Sequence, residues 1–424
     1  MRAGSPRLLR EINDRAAIDA LLRHGALTRS ELEAQIGLSK PATAALLTRL
    51  ETEGAVVRAG LRGGGRGPRA QLWTVNGTLA SVAAVDLTPR GVDIAIADIT
   101  GALLAEHQTA LPRGGQDTVL AAFQSALNAA AGRAEVDPGG LCQVVIGAPG
   151  GVNPATGHLG FAPHLRTWEG FDVPGTLTEL LSVPVTVEND VNLVALEEMT
   201  SGRAGDVRDF VLIWISAGLG SAVVINRHLL RGATGGAGEI DSMRVPDRAT
   251  ADTGVDRGGI RLGDLLATGS VVKLARAHGL AARSGAIALR KAVEAGDGGR
   301  AFLLDLARRI ATGVAGVVSV VDPQLVLLAG ETAQAGGEEF SAMVAAELHQ
   351  LVTPRTPVRT SLVTGKPVRS GALHAALALA REEVFGLVAA TADPFRGLRK
   401  PAGAAPPGPR RPPLRARHIS PTPH

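Results

Sequence analysis

The sequence predicts an α/β protein in which an N-terminal winged helix-turn-helix is followed by two α/β lobes with a cleft between them. Three observations carry this reading. Residues 1–78 read as three short helices and a two-stranded hairpin. From residue 79 onward, a three-stranded meander followed by alternating helices and strands occurs twice. Residues 394–424 hold nine prolines and almost no aliphatic periodicity, a composition that does not build a packed core. The division is residues 1–78, 79–390 and 391–424, within the two or three domains that 424 residues allow.

In the first module Leu8, Leu9, Ile12, Ala16, Ile18, Leu21 and Leu22 fall at near-helical spacing, and Gly25 follows as a stop. The helix over 7–24 is expected to break near Asn13. Thr28-Arg29-Ser30-Glu31 is a capping box, so a second helix starts there and runs to Ile36. After the Gly37-Leu38 turn, Ser39 can cap a third helix, with Pro41 in its first turn and Gly54 past its end. Helix, short turn, helix is helix-turn-helix spacing. Ala55–Arg58 and Ala70–Val75 then read as strands around the Gly- and Arg-rich 61–69, a hairpin with a basic tip. A helix N-terminus fits the DNA major groove, and arginines on such a tip reach phosphates or a narrow minor groove. The exposed candidates for DNA contact are Ser39, Lys40, Thr43, Arg62, Arg66 and Arg69.

In the second module Ser81–Asp86, Val92–Ile99 and Leu103–Thr109 form the first meander. A helix over Asp117–Ala131, strands over Leu141–Ile146 and Val183–Glu188, and a helix over Leu193–Met199 follow. The order then recurs with Phe210–Ser216, Gly220–Asn226 and Leu229-Leu230, later helices, a buried strand at Leu325–Ala329 and more helix. Two lobes of this kind leave a cleft, the usual place for a small ligand.

Composition limits the function classes. With 45% hydrophobic and 20% charged residues the chain can bury a sizeable core. Its apolar runs are too short for a membrane span, and residues 1–15 hold no apolar signal core, so a cytoplasmic protein is expected. Cys142 is the only cysteine, which excludes an intrachain disulfide and a Cys-cluster zinc site. Only five of the 44 basic residues are lysine, a coding bias that weakens arginine content alone as a sign of nucleic-acid binding. The placement of charge is more telling: residues 1–75 carry +5, residues 394–424 carry +7, and the stretch between carries −8. Basic ends can meet a polyanion that an acidic body avoids.

Five ordered motifs carry a family resemblance: Gly147-Ala148-Pro149-Gly150-Gly151-Val152-Asn153-Pro154, Phe161-Ala162-Pro163-His164-Leu165, Trp168-Glu169-Gly170, Val187-Glu188-Asn189-Asp190-Val191-Asn192, and Arg231 through Ile240 (R-G-A-T-G-G-A-G-E-I). Together they resemble the ROK family of repressors and sugar kinases over about residues 5–385, and the winged helix in front is similar to its repressor branch. The resemblance implies an actin-like, ribonuclease-H-like sugar-kinase fold and a sugar or sugar-derivative ligand. It assigns sugar contacts to Asn189, Asp190 and Glu239, with His164 and Asp264 at two further sugar-side positions, and makes Asp190 the position of the kinase general base. Taken singly, Asn189 and Asp190 read as caps of the following helix, Glu239 as a turn residue, His164 as a surface histidine and Asp264 as a helix cap.

The departures matter as much. Where the family's kinases carry a D-x-G-G-T phosphate loop, this chain has Asp86-Leu87-Thr88-Pro89-Arg90; both glycines are replaced, and Pro89 removes an N–H donor. At the later nucleotide-side Gly-Gly stands Ala329-Gly330-Glu331, which puts a carboxylate where a nucleotide approaches. The family's zinc motif is absent, since no Cys or His lies between Glu239 and Asp264. The resulting expectation is a DNA-binding regulator, acting on a duplex operator as a homodimer or homotetramer, with a degenerate kinase domain that senses a sugar and needs no cofactor or metal. The alternatives are an active sugar kinase with a regulatory head and a ligand-independent regulator whose body only dimerises.

Overall fold

A computed structural model of the chain describes residues 6–63, 69–160, 162, 165–245 and 259–387. The head contains α1 (Pro6–His24), β1 (Leu27–Thr28), α2 (Arg29–Ile36), α3 (Lys40–Thr52), β2 (Val56–Arg62) and β3 (Ala70–Val75). Helix α1 runs unbroken through Asn13. The capping box forms: Thr28 N donates to Glu31 Oε2 at 2.8 Å and Glu31 N to Thr28 Oγ1 at 3.3 Å. Gly37 ends α2 with φ 68°, a left-handed conformation glycine adopts at little cost. Strands β2 and β3 pair as the expected hairpin, and β1 pairs with the far side of β3, aligning Leu27 with Trp73. A two-residue strand has no periodicity, so nothing in the sequence marked β1. Ile18, Leu21, Leu32, Leu46, Leu47 and Leu50 are buried between the helices and this sheet, each contributing roughly 1.5–3 kcal/mol.

The first lobe is built from β4 (Ser81–Thr88), β5 (Gly91–Asp98), β6 (Leu103–Thr109), α4 (Gln116–Arg133), β7 (Gln143–Ala148), the short pair β8 (Gly151–Val152) and β9 (Leu159–Gly160), α5 (Val173–Leu181), β10 (Val185–Asn189) and α6 (Asp190–Ser201). Its sheet order is β10-β7-β4-β5-β6. The second lobe holds β11 (Phe210–Ile215), β12 (Leu219–Ile225), β13 (His228–Leu229), β14 (Arg244–Val245), β15 (Ile260–Arg261), α7 (Leu262–Leu266), α8 (Thr268–Ala277), α9 (Gly285–Glu294), α10 (Asp297–Val321), β16 (Leu325–Ala329), α11 (Glu331–Gln334), α12 (Gly337–Leu351), β17 (Val358–Thr360) and α13 (Pro367–Phe385). Its order, β13-β12-β11-β16-β17, repeats the first lobe's: an antiparallel meander whose first strand is extended on its other side by two successive parallel strands. The duplicated meander read from the sequence is therefore a duplicated sheet topology. The central strands β7 and β16 are buried throughout and, apart from Gln143 at the start of β7, read as apolar runs, as parallel strands covered on both faces do.

The final helix does not stay with the second lobe. Helix α13 returns to pack on α6, β4 and β7. Its inner face is nearly all alanine, and a Cβ at Gly371 would lie 2.0 Å from the Leu193 carbonyl of α6, so the two backbones are in contact. At its far end α13 meets the head. Arg381 Nε and Nη2 donate to the carbonyls of Ile99 and Thr100 at 3.0 and 2.9 Å. Burial pushes this guanidinium below its usual pKa, while Asp98 and Asp19 of α1 hold it up. One continuous apolar cluster accordingly joins head residues, the first lobe's inner face, α6, α13 and the inner face of the second lobe.

Candidate ligand-binding site

A cavity of about 550 Å³ lies between the lobes, within the size range of small-ligand pockets. The first lobe lines it with Asp86–Pro89, Pro149, Gly150, Ala162 and Asn189–Val191; the second with Trp214, Ser216–Ser221, Ala237–Glu239, Asp241, Ser242 and Arg261. The first strand of each meander, β4 in one lobe and β11 in the other, ends at the cavity, with the end of β10 on β4's side and the β11–β12 turn opposite.

Backbone contact between the glycine-rich motifs shapes this region. A Cβ at Gly151 would sit 2.2 Å from the Gly235 carbonyl, and Gly235 itself has φ 82°. The 147–152 loop therefore rests on the 231–239 loop without side chains between them. A largely buried ion pair fastens the 231–239 loop to the 187–192 motif as well: Arg231 Nε donates to Glu188 Oε2 at 2.6 Å. The other oxygen of Glu188 accepts from Asn192 Nδ2 and from the Asn189 N–H.

Of the residues expected from the sequence, Asn189, Asp190 and Glu239 all line the cavity. Asn189 also caps α6, its Oδ1 accepting from Asn192 N at 3.0 Å and its Nδ2 donating to the Gly150 carbonyl at 3.2 Å. Asp190 Oδ1 accepts from Val191 N at 2.8 Å. Burial, with Asp86 and Glu239 close by, pushes Asp190 up to about 7 against those backbone hydrogen bonds. Asp86 is likewise pushed up to about 6 by burial and by Asp93, opposed by Arg369 and Lys366. Glu239 is half-buried rather than in a solvated turn, and its pKa is raised by burial and Asp241. These acids share a desolvated space, where carboxylates can accept paired hydroxyls and where one of them can hold a proton near neutral pH.

Other expectations are corrected. Asp264 is exposed on α7 and is not among the residues lining the cavity, whereas Asp241, ion-paired to Arg261, joins Asp86, Asp190 and Glu239 there. Glu331 is exposed at the start of α11, away from this lining. His164 lies outside the described residues. Asp86 was quoted in the sequence only as part of an altered loop, and Glu188 and Arg231 only as motif letters. Their opposite charges in motifs expected to meet were the available sign.

The 86–90 segment takes a definite form. Thr88 pairs with Gly91 across β4 and β5, leaving Pro89-Arg90 as a two-residue hairpin turn. Thr88 Oγ1 donates to the Gly91 carbonyl at 3.1 Å and accepts from Arg90 N at 3.3 Å. The one N–H the turn retains beside Pro89 is thus spent internally.

In the head, Ser39 and Lys40 are exposed at the start of α3, although the Ser39 side chain makes no capping hydrogen bond. Thr43, expected on the exposed face, is fully buried: it shares the inner stripe with Leu46, Leu47 and Leu50, and its hydroxyl donates to the Ser39 carbonyl at 3.2 Å. Arg62 is half-exposed but ion-paired to Glu31 and bonded to the Ala26 carbonyl, so it ties the hairpin to α2 instead of forming a free tip. Arg69 is exposed, and Arg66 lies outside the described residues.

Among the described residues no helix is long and apolar enough to cross a membrane. The profile described as "ROK family" matches residues 82–383. A protein named xylose repressor from Caldicellulosiruptor bescii is 26% identical over 352 residues, covering 80% of this chain and 87% of that one. That match is longer than the 82–383 stretch and extends outside it. A glucokinase from Halalkalibacterium halodurans is 26% identical over 219 residues, 46% of this chain and 63% of its own length. Among solved structures, one described as a ROK family transcriptional regulator, homologous to an Escherichia coli MLC protein, superposes with a TM-score of 0.65 at 18% identity. It covers 88% of this chain and 97% of its own.

Proposed function

The chain belongs to the ROK family, and from that premise we propose that it is a DNA-binding transcriptional repressor whose kinase-like body senses a sugar in the inter-lobe cavity without phosphorylating it. The observation that carries the reading is the pairing of a retained cavity with a closed phosphate loop. Asn189, Asp190 and Glu239 still face one space, while Pro89 and the Thr88–Gly91 hairpin leave no run of free N–H groups to cradle phosphate. The match to a named repressor over most of both chains supports it. Operator DNA is the partner of the head, a sugar or sugar derivative is the effector, the assembly is a homodimer or homotetramer, and the compartment is the cytoplasm. Coupling requires that the effector bind the DNA-competent and incompetent states with different affinities. Helix α13 offers the route, since it lies on α6, whose first turn lines the cavity, and ends against α1, where Gly386 lies beside Arg15.

Selection from a random duplex library tests the DNA half. An enriched sequence is expected, with binding that weakens steeply in salt. Lys40→Ala and Arg69→Ala should each lower the salt slope by about one, whereas Thr43→Ala should leave the DNA affinity of the folded protein unchanged. Recovery of no enriched sequence would sink the assignment.

The effector half carries a pH signature. Ionised Asp190 is the form that accepts hydroxyl hydrogen bonds, and in the free cavity it is reached only above about pH 7. Affinity for a sugar that raises the melting temperature should therefore climb from pH 6 to pH 8 and level off above, with the climb absent in Asp190→Asn. D-xylose is the first probe, given the named relative, and calorimetric titration across that range reads it.

A second reading, ATP-dependent sugar phosphorylation, draws on the same Asp190, whose pKa near neutrality suits a general base. Sugar-dependent ADP release abolished by Asp190→Asn would establish it.

A further inference from the structure

The cavity between the lobes holds more negative charge than the residues around it compensate. Four carboxylates line it, Asp86, Asp190, Glu239 and Asp241, against a single basic side chain, Arg261, which is already ion-paired to Asp241. The acids arrive from both lobes, on β4, on the first turn of α6 and on the turn that follows the 231–239 loop. Two cations stand behind Asp86, and both are shared. Asp86 is paired in register with Asp93 across β4 and β5; Lys366 Nζ lies 2.8 Å and Arg369 Nη1 2.6 Å from Asp93, and Arg369 also meets Glu106.

Uncompensated charge is costly in a desolvated space. The acids respond by keeping protons, Asp190 and Asp86 both ionising close to neutral pH. A neutral sugar leaves the excess in place, since each hydroxyl donates one hydrogen bond and brings no charge. An ammonium group brings three donors and a full positive charge, and its hydrogen bonds to carboxylates are roughly twice as strong as those between neutral groups. Trp214 adds an aromatic ring to the second lobe's wall of the cavity, and ring faces attract cations. A metal ion is the other available countercharge, but among the described residues no group of three or more His, Cys, Asp or Glu is placed to hold one. A cavity of about 550 Å³ admits an organic cation of sugar size instead.

Resting on the sugar-sensing reading above, we propose that the effector is an amino sugar whose protonated amine is held by Asp190 together with Asp86 and Glu239. An N-acetylated sugar carries no charge and does not meet this requirement. Because a cation stabilises ionised carboxylates, its binding expels the protons that Asp190 and Asp86 keep near neutral pH.

Calorimetric titration of the full chain tests this at pH 7, where Asp190 is about half protonated. D-glucosamine, D-galactosamine and D-mannosamine are compared with their parent hexoses, their N-acetyl forms and D-xylose, in two buffers of different ionisation enthalpy. The expected result is that one amine binds at least about tenfold tighter than both its parent and its N-acetyl form, with protons released to the buffer. In Asp86→Asn and in Glu239→Gln, each shown by thermal melting to be folded, that preference should fall at least about threefold. Neutral sugars that bind as tightly as every amine, or more tightly, would overturn the inference while leaving sugar sensing intact. An amine preference untouched in both variants would overturn it too, since the charge would then be read elsewhere. Absence of binding by every sugar of the panel would remove both.

Discussion

Arg231→Ala is expected to lower the stability of the body by about 3–5 kcal/mol, the usual result of stripping one partner from a buried ion pair. Glu188 is almost wholly enclosed, with its side chain 6% exposed, and Arg231 is the cation that compensates it. The effect should exceed that of any surface pair, because exposed pairs contribute about 0–1 kcal/mol. Adding Glu188→Gln should restore part of the loss, since the uncompensated carboxylate is the costly element. Urea denaturation reads both; a change under 1 kcal/mol for Arg231→Ala would show that the pair does not fasten the 231–239 loop. Since that loop carries Glu239, the variant should also weaken sugar binding.

Asp190→Asn and Glu239→Gln should have the largest effect on sensing. Each removes a charge-assisted hydrogen bond to a hydroxyl, worth about 1.5–3 kcal/mol, so each should weaken sugar binding about 10- to 150-fold. Their effect on the free protein has the opposite sign. Asp190 ionises near 7 in the folded state against 3.8 in the unfolded chain. The folded state therefore holds the proton that the unfolded state loses as pH rises from about 4 to 7, and stability falls across that window. Asp190→Asn removes the penalty and should raise the melting temperature at pH 8 while abolishing the sugar-induced rise. A variant still fully stabilised by the sugar would place the effector elsewhere.

Much of this was legible in the sequence, for physical reasons that also mark where legibility stops. Thr28 and Glu31 announced α2 because a capping box is a local arrangement, and the strand at Leu325–Ala329 coincides with β16 because an apolar run bounded by turns has few other uses. Thr43 was misjudged because a small polar residue in an alanine-rich helix gives no clue to which face it occupies; the stripe of Leu46, Leu47 and Leu50 decides that. Arg62 looked free because Glu31, its partner, lies 31 positions away. The return of α13 across the first lobe is equally non-local, and an alanine-rich face gives little periodic contrast. At the cavity, motif order brought Asn189, Asp190 and Glu239 together, whereas Asp264, placed by spacing alone, is exposed on α7 outside the cavity lining.

The central claim is that one chain couples a sugar in the cavity to DNA at the head. The most direct measurement is the Kd of the selected duplex with and without a saturating sugar identified by thermal shift, in the wild type and in Asp190→Asn. The account predicts a change of about fivefold or more in the wild type and none in Asp190→Asn at the same sugar concentration. A wild-type Kd unmoved by a sugar that calorimetry shows to be bound would contradict it.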